Sequence, residues 1–304
     1  MVKSLEAVEV MSLAKVYPSG VWGIRNVSFV VKRKSIATLL GPNGAGKTTT
    51  IKILSTLLKP TKGWVYVLGM NVARNSWDIR KRIALCPQDI RVDINWSPIE
   101  AVVGYLIARG WSFRDALAEA RKWLEELDLW DIRYRPSAHL SGGQRKRIAV
   151  AMVLATKADV LFLDEPTSGL DVEGKYRVWK ALRLTVREGS TILLTTHDMN
   201  EAGMISDKVI LISRGIVVAE GSVEELVSKV PYRYRIVAKN TKSIPRYIKN
   251  RVVELGDRVV IYAETRSEAL SIVSELSAES ISINEVGLED AYTYLTSRVE
   301  EIRA

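Results

Sequence analysis

Short apolar runs alternate with polar breaks through the first third of the chain. Residues 27–31 and 63–69 read as β-strands, and residues 36–40 form a continuous apolar run of the kind expected for a strand buried on both faces. From about residue 89 to 155 the period changes to that of helices, with residues 116–127 a clear amphipathic stretch. Strand patterns return at residues 160–163, 191–195 and 208–212. These patterns predict an α/β core with an inserted helical subdomain over about 89–155 and a first domain covering residues 1–228. From Pro231 onward the order changes: strands over 232–239, 251–254, 258–264 and 281–286 alternate with helices over 244–250 and 267–276, and a last helix covers 288–296. A small α+β accessory domain of ferredoxin-like type is therefore expected over 229–304.

Between the buried run at 36–40 and a predicted helix start lie Gly41, Pro42, Asn43, Gly44, Ala45, Gly46, Lys47 and Thr48. They spell the phosphate-binding pattern G-x-x-x-x-G-K-[ST]. Glycines there let backbone N–H groups turn toward phosphates, the lysine reaches the β- and γ-phosphates, and the threonine hydroxyl can ligate Mg²⁺. A chance match in a chain of this length is on the order of one in a hundred. The strand-loop-helix setting lowers that further, so the sequence implies a bound nucleoside triphosphate.

Leu140, Ser141, Gly142, Gly143 and Gln144 precede a run of helix formers. Ser141 can cap that helix, leaving N–H groups at the positive end of its dipole as a second anion site. One phosphate loop already holds one triphosphate, so a second anion site suggests two copies meeting across shared nucleotide. A third cluster is the apolar run 160–163 ending in Asp164 and Glu165, as when a buried parallel strand runs out into a ligand crevice. Asp164 would organise Mg²⁺ through its water shell, and Glu165 could polarise the attacking water.

With these motifs in this order, residues 5–228 resemble the nucleotide-binding subunit of an ATP-binding-cassette (ABC) transporter. The resemblance implies Walker A at Gly41 to Thr48, with Thr49 beside it at the phosphates, the signature at Leu140 to Gln144, and Walker B ending in Asp164 with Glu165 as catalytic base. It further implies a D-loop at Ser168 to Asp171, a Mg²⁺- and water-organising glutamine at Gln88, a switch histidine at His197, and an adenine-stacking aromatic at Tyr17. Residue rarity supports three of these assignments. The chain has only two Gln, Gln88 and Gln144, and His197 is one of two His; His139 reads as structural. The ending L-E-D-x-aromatic-x-x-L-T at 288–296 resembles that of drug-resistance and ABC-2-type exporter ATPases.

Such a subunit implies ATP and Mg²⁺, a second ABC ATPase subunit as partner, a homodimer in the simplest case, and a separate transmembrane permease. No nucleic acid partner is expected. The alternative is a soluble ABC ATPase of DNA repair, chromosome organisation or translation. Repair and chromosome types insert a long coiled coil between the phosphate loop and the signature, whereas here Lys47 and Ser141 are 94 residues apart (141 − 47). Translation types usually carry two cassettes in one chain, and this chain carries one.

Composition changes little in this picture. At 304 residues and 47% apolar content the chain can bury the cores of two domains. No apolar run approaches the roughly 18 residues of a membrane span, and the single cysteine, Cys86, excludes an internal disulfide. A cytoplasmic protein, peripheral on the inner face of the cell membrane, is expected. The +9 net charge gathers in triplets such as residues 32–34, 80–82 and 145–147, which mostly read as solvated faces. Two places depart from the family pattern: Lys34 and Ser35 stand where Gly-Glu is common, and residues 89–105 diverge. Trp96 and Trp111 add aromatic bulk to the helical subdomain, either filling its core or facing the permease.

Overall fold

The computed structural model describes residues 6–89, 92–241, 244, 248 and 251–301. Two compact units part between Glu220 and Gly221, eight residues before the expected boundary (228 − 220).

The first unit opens with β1 (Glu6–Val16) and β2 (Trp22–Lys32), an antiparallel pair, and β3 (Ile36–Leu40), which leads into the phosphate loop and α1 (Lys47–Leu54). Then follow β4 (Lys62–Val67), β5 (Met70–Asn71), α2 (Ser76–Arg82) and β6 (Ile83–Cys86). The helical stretch contains α3 (Pro98–Ala108), α4 (Phe113–Glu126) and α5 (Gly142–Leu154). The core resumes with β7 (Val160–Asp164), α6 (Val172–Arg187), β8 (Thr191–Thr196), α7 (Met199–Ile205), β9 (Lys208–Ser213) and β10 (Ile216–Gly221). This is the α/β core with helical insertion that the periodicity predicts.

Ten strands lie in the order β5-β4-β1-β2-β10-β9-β3-β8-β7-β6. β3, β7 and β8 are buried throughout, which explains their unbroken apolar character, whereas β2 alternates because one face stays wet. One core packs α1 against β1, β2 and β4, and another joins the helical subdomain to β7 and β8, with Trp123 and Phe162 among the largest fully buried side chains.

Register in the parallel half positions the site. Cys86 pairs with Leu163, Asp164 with Thr195, and Leu40 with Thr196. The chain therefore leaves β6, β7, β8 and β3 at one level, so the segments beginning at Pro87, Glu165, His197 and Gly41 converge on one edge, where open α/β sheets bind ligands.

In the second unit, a short helix, α8 (Val223–Val227), contacts α10 (Leu288–Glu301), which accounts for the earlier boundary. Between them come β11 (Tyr234–Lys239), β12 (Val252–Leu255), β13 (Arg258–Ala263), α9 (Arg266–Glu275) and β14 (Ser280–Glu285). The sheet order is β12-β13-β11-β14, antiparallel throughout, the strand arrangement of a ferredoxin-like unit. The helix expected over 244–250 lies mostly outside the described residues.

Candidate functional site

The loop after β3 is shaped by what cannot have a side chain. A Cβ on Gly41 would lie 2.1 Å from the Ile212 carbonyl oxygen, and one on Gly46, at φ +105°, would lie 2.7 Å from that of Gly23. Close backbone approach therefore demands glycine at both ends of the loop. Lys47 begins α1 with its ammonium turned onto the loop, donating to the carbonyls of Gly41 (2.7 Å) and Pro42 (3.1 Å) and lying 3.6 Å from Glu165 Oε1. Burial pulls the Lys47 ammonium below the usual lysine range, and the adjacent Glu165 and Asp164 partly oppose this.

Glu165 has φ +49°, a left-handed conformation rare for a non-glycine residue and concentrated at functional sites. Leaving β7 in this way, it points its carboxylate into a cluster. His197 Nδ1 lies 3.1 Å from its Oε1, and Gln88 Nε2 lies 3.5 Å from its Oε2. The backbone on either side is held by Thr195, whose Oγ1 donates to Asp164 Oδ1 (2.5 Å) and accepts from the Glu165 amide (3.0 Å). Thr195 carries no motif signal in the sequence. Only the pairing of β7 with β8 gives it this place.

A cleft of about 430 Å³ opens over this cluster, lined by Val21, Trp22 and Gly23, by Pro42, Asn43, Gly44, Gly46 and Lys47 to Thr49, and by Gln88 and Glu165. Its size suits a nucleotide. Tyr17, expected to stack on adenine, is not in this lining. Its hydroxyl shares a hydrogen bond of 3.0 Å with Thr49 Oγ1, and its ring edge packs at Gly23. Trp22 is in the lining, 47% exposed with the Arg25 guanidinium 6.0 Å from its ring. Tyr17 follows β1 directly and Trp22 opens β2, so the two aromatics flank the turn that joins these strands.

Of the residues expected to hold a divalent cation, Thr48 and Gln88 line this cleft, whereas the buried Asp164 stands beside Glu165 at the end of β7. This is a sparse, all-oxygen set that fits Mg²⁺ completed by substrate phosphates and water better than a caged metal. Among the described residues no cluster of three or more His, Cys, Asp or Glu could hold a metal by itself.

The other expected contacts lie outside this cleft. Ser141 and Gln144 form a reciprocal capping box at the start of α5, with Ser141 Oγ accepting from the Gln144 amide and Gln144 Oε1 from the Ser141 amide. Ser141 and Gly142 are exposed, and Gly143 and Gln144 partly so. Asp171 caps α6, its Oδ1 accepting from the Gly174 amide. Lys146, not singled out by sequence, ties α5 to the cleft by donating to the Gln88 carbonyl (3.0 Å). Trp111 packs on the subdomain core, whereas Trp96 lies over Gly104 and stays 45% exposed. His139 sits exposed in a 3₁₀ turn.

Known proteins share this arrangement. The family model described as ABC transporter matches residues 24–168. The daunorubicin resistance ATP-binding protein DrrA3 of Streptomyces coeruleorubidus is 34% identical over 89% of this chain and 91% of its own. The daunorubicin/doxorubicin resistance ATP-binding protein DrrA of Streptomyces peucetius is 32% identical over 98% and 94%. Among solved structures, the dimeric ATP-binding cassette MJ0796, in a post-hydrolysis state with ADP and phosphate, superposes with a TM-score of 0.65 at 27% identity, covering 71% of this chain and 98% of that one. The chain belongs to the ATP-binding proteins of the ABC transporter family.

Proposed function

We propose that this protein hydrolyses ATP to ADP and phosphate and thereby powers a membrane exporter. The observation that carries the reading is the convergence of Lys47, Gln88, Asp164, Glu165 and His197 at the ends of four neighbouring parallel strands. The triphosphate lies along the loop from Gly41 to Thr49, where backbone amides and the Lys47 ammonium meet its charge, with Tyr17 and Trp22 the aromatics beside the cleft for its base. Thr48, Gln88 and Asp164 would hold Mg²⁺, which would supply charge neutralisation to the triphosphate. Glu165 takes a proton from the attacking water as its oxygen bonds to the γ-phosphorus. The bond from that phosphorus to the β–γ bridging oxygen breaks, and the electron pair leaves with ADP. His197 holds the Glu165 carboxylate through Nδ1 and presents its other ring nitrogen to the γ-phosphate.

Ser141 to Gln144 and Asp171 serve the cleft of a second copy, consistent with their distance from this one and with the dimeric relative. The resistance named in two relatives supports export. A separate permease provides the pathway and this subunit works at its cytoplasmic face, as family membership supports; among the described residues no helix is long and apolar enough to cross a membrane. The second unit, residues 221–301, acts as an accessory domain. Replacing Lys47 with Ala tests the assignment of the loop: phosphate release should cease and binding of a fluorescent ATP analogue should weaken greatly. Wild-type affinity in that variant would move the nucleotide elsewhere.

A further inference from the structure

Glu201 lies four residues beyond His197 on α7 and is only 1% exposed, an unusual place for a carboxylate. Its Oε1 accepts two hydrogen bonds, from Thr167 Oγ1 at 2.5 Å and from the Trp179 indole N–H of α6 at 3.0 Å. Thr167 is itself buried and stands two residues after Glu165. A ring is thereby closed. It runs from Glu165 along the chain to Thr167, across to Glu201, back along the chain to His197, and across to Glu165 Oε1. The start of α7 is fixed independently by Asp198, which accepts from the amides of Asn200 and Glu201 and from Lys175 Nζ at 2.7 Å.

We propose that Glu201 is a positioning residue for hydrolysis, locking the strained Glu165 loop to the His197 loop so that base and histidine keep one geometry. Enclosing a carboxylate costs free energy that an apolar side chain of similar size would avoid, so its presence calls for a role its acceptor atoms perform. Glu165 supplies the need. Its left-handed backbone persists only when held from both sides. Thr195 holds the strand side, and Thr167 on Glu201 holds the other. Lys175, which faces both Asp198 and Glu201, is the cation that offsets their charge. A displacement of the Glu165 carboxylate by about an ångström would cost on the order of a hundredfold in rate.

This inference rests on the reading of Glu165 and His197 as the hydrolytic pair, and the test separates the two. Steady-state ATPase rates and nucleotide affinity would be measured for Glu201→Leu, Glu201→Gln and Thr167→Val, each in the wild-type and His197→Ala backgrounds. Glu201→Leu should lower kcat by about 10- to 100-fold with KM and affinity within about threefold, because binding does not use the ring. Glu201→Gln keeps an acceptor oxygen for both donors and should stay within about threefold of wild type. In the His197→Ala background Glu201→Leu should cost several-fold less than it does in wild type, since one of the two groups it aligns is gone. Equal losses in both backgrounds, or a glutamine variant as slow as the leucine one, would overturn the coupling. Thr167→Val removes one hydroxyl at nearly constant shape and decides the same question if Glu201→Leu does not fold. It should lose several-fold in kcat, again less where His197 is absent, and full activity would overturn the proposal. His197→Ala protein that hydrolyses ATP normally would overturn the reading of the site itself, and the ring with it.

Discussion

Replacing Glu165 with Gln separates catalysis from binding more cleanly than any other single change. The amide keeps the size of the side chain and can still meet His197 at 3.1 Å and Gln88 at 3.5 Å, but it cannot accept the proton of the attacking water. General base catalysis is worth about 10²–10⁴-fold, or roughly 2.7–5.4 kcal/mol of barrier, and kcat should fall by that factor. Binding should not suffer. In the folded protein Lys47 lies 3.6 Å from Glu165, with side chains 5% and 7% exposed, an attraction of about 4–5 kcal/mol before desolvation at an effective dielectric constant near 20. Losing it costs the nucleotide-free protein stability, on the order of 3 kcal/mol for a broken buried pair, and Lys47 retains its bonds to Gly41 and Pro42. A triphosphate would return a negative partner to that ammonium. The variant should therefore melt lower than wild type alone and recover with ATP and Mg²⁺, while closed dimers accumulate in size-exclusion chromatography with light scattering. Phosphate release at the wild-type rate would remove Glu165 as base, and an unchanged melting point without nucleotide would show that its pair with Lys47 contributes nothing to the fold.

Burial raises the Cys86 thiol to about 11 from 9.0, with nearby Lys146 opposing and Asp164 adding to the shift. An acid whose pKa is raised by folding leaves stability intact below pH 9 and erodes it between about pH 9 and 11, as the unfolded thiol ionises first; the loss is at most about 3 kcal/mol. Urea unfolding at pH 8 and 10.5 should thus show a steeper decline for wild type than for Cys86→Ala, and parallel declines would refute this origin. Truncation after Glu220 removes a unit whose core, around Ile236, Ile261, Ala269 and Ile272, is its own. Nucleotide affinity should survive, because every residue assigned to phosphate, Mg²⁺, water or base lies between Tyr17 and His197. Loss of binding with the fold intact by circular dichroism would show that the second unit helps build the site.

Much of this protein was legible before any coordinates. The phosphate loop, the buried strand running into Asp164 and Glu165, and the capped helix after Ser141 are local features, where residue type and spacing decide backbone shape within a few residues. Periodicity likewise located the buried strands around the site and most of the described elements of the second unit, since side-chain alternation and helical stripes record burial directly. What spacing could not decide was which ends meet. β3 and β8 are partners across some 150 residues of sequence, and their register brings Gly41 beside His197. The same long-range pairing gives Thr195 its double role, and helix packing encloses Glu201 between Thr167 and Trp179. Tyr17 and Trp22 show the limit most plainly. They flank one turn, and only the fold engages the Tyr17 hydroxyl with Thr49 and sets Trp22 in the lining of the cleft. A sequence writes each residue's chemistry and local conformation, but the free energy that selects among distant pairings is collective, so the geometry between motifs exists only once the sheet has formed.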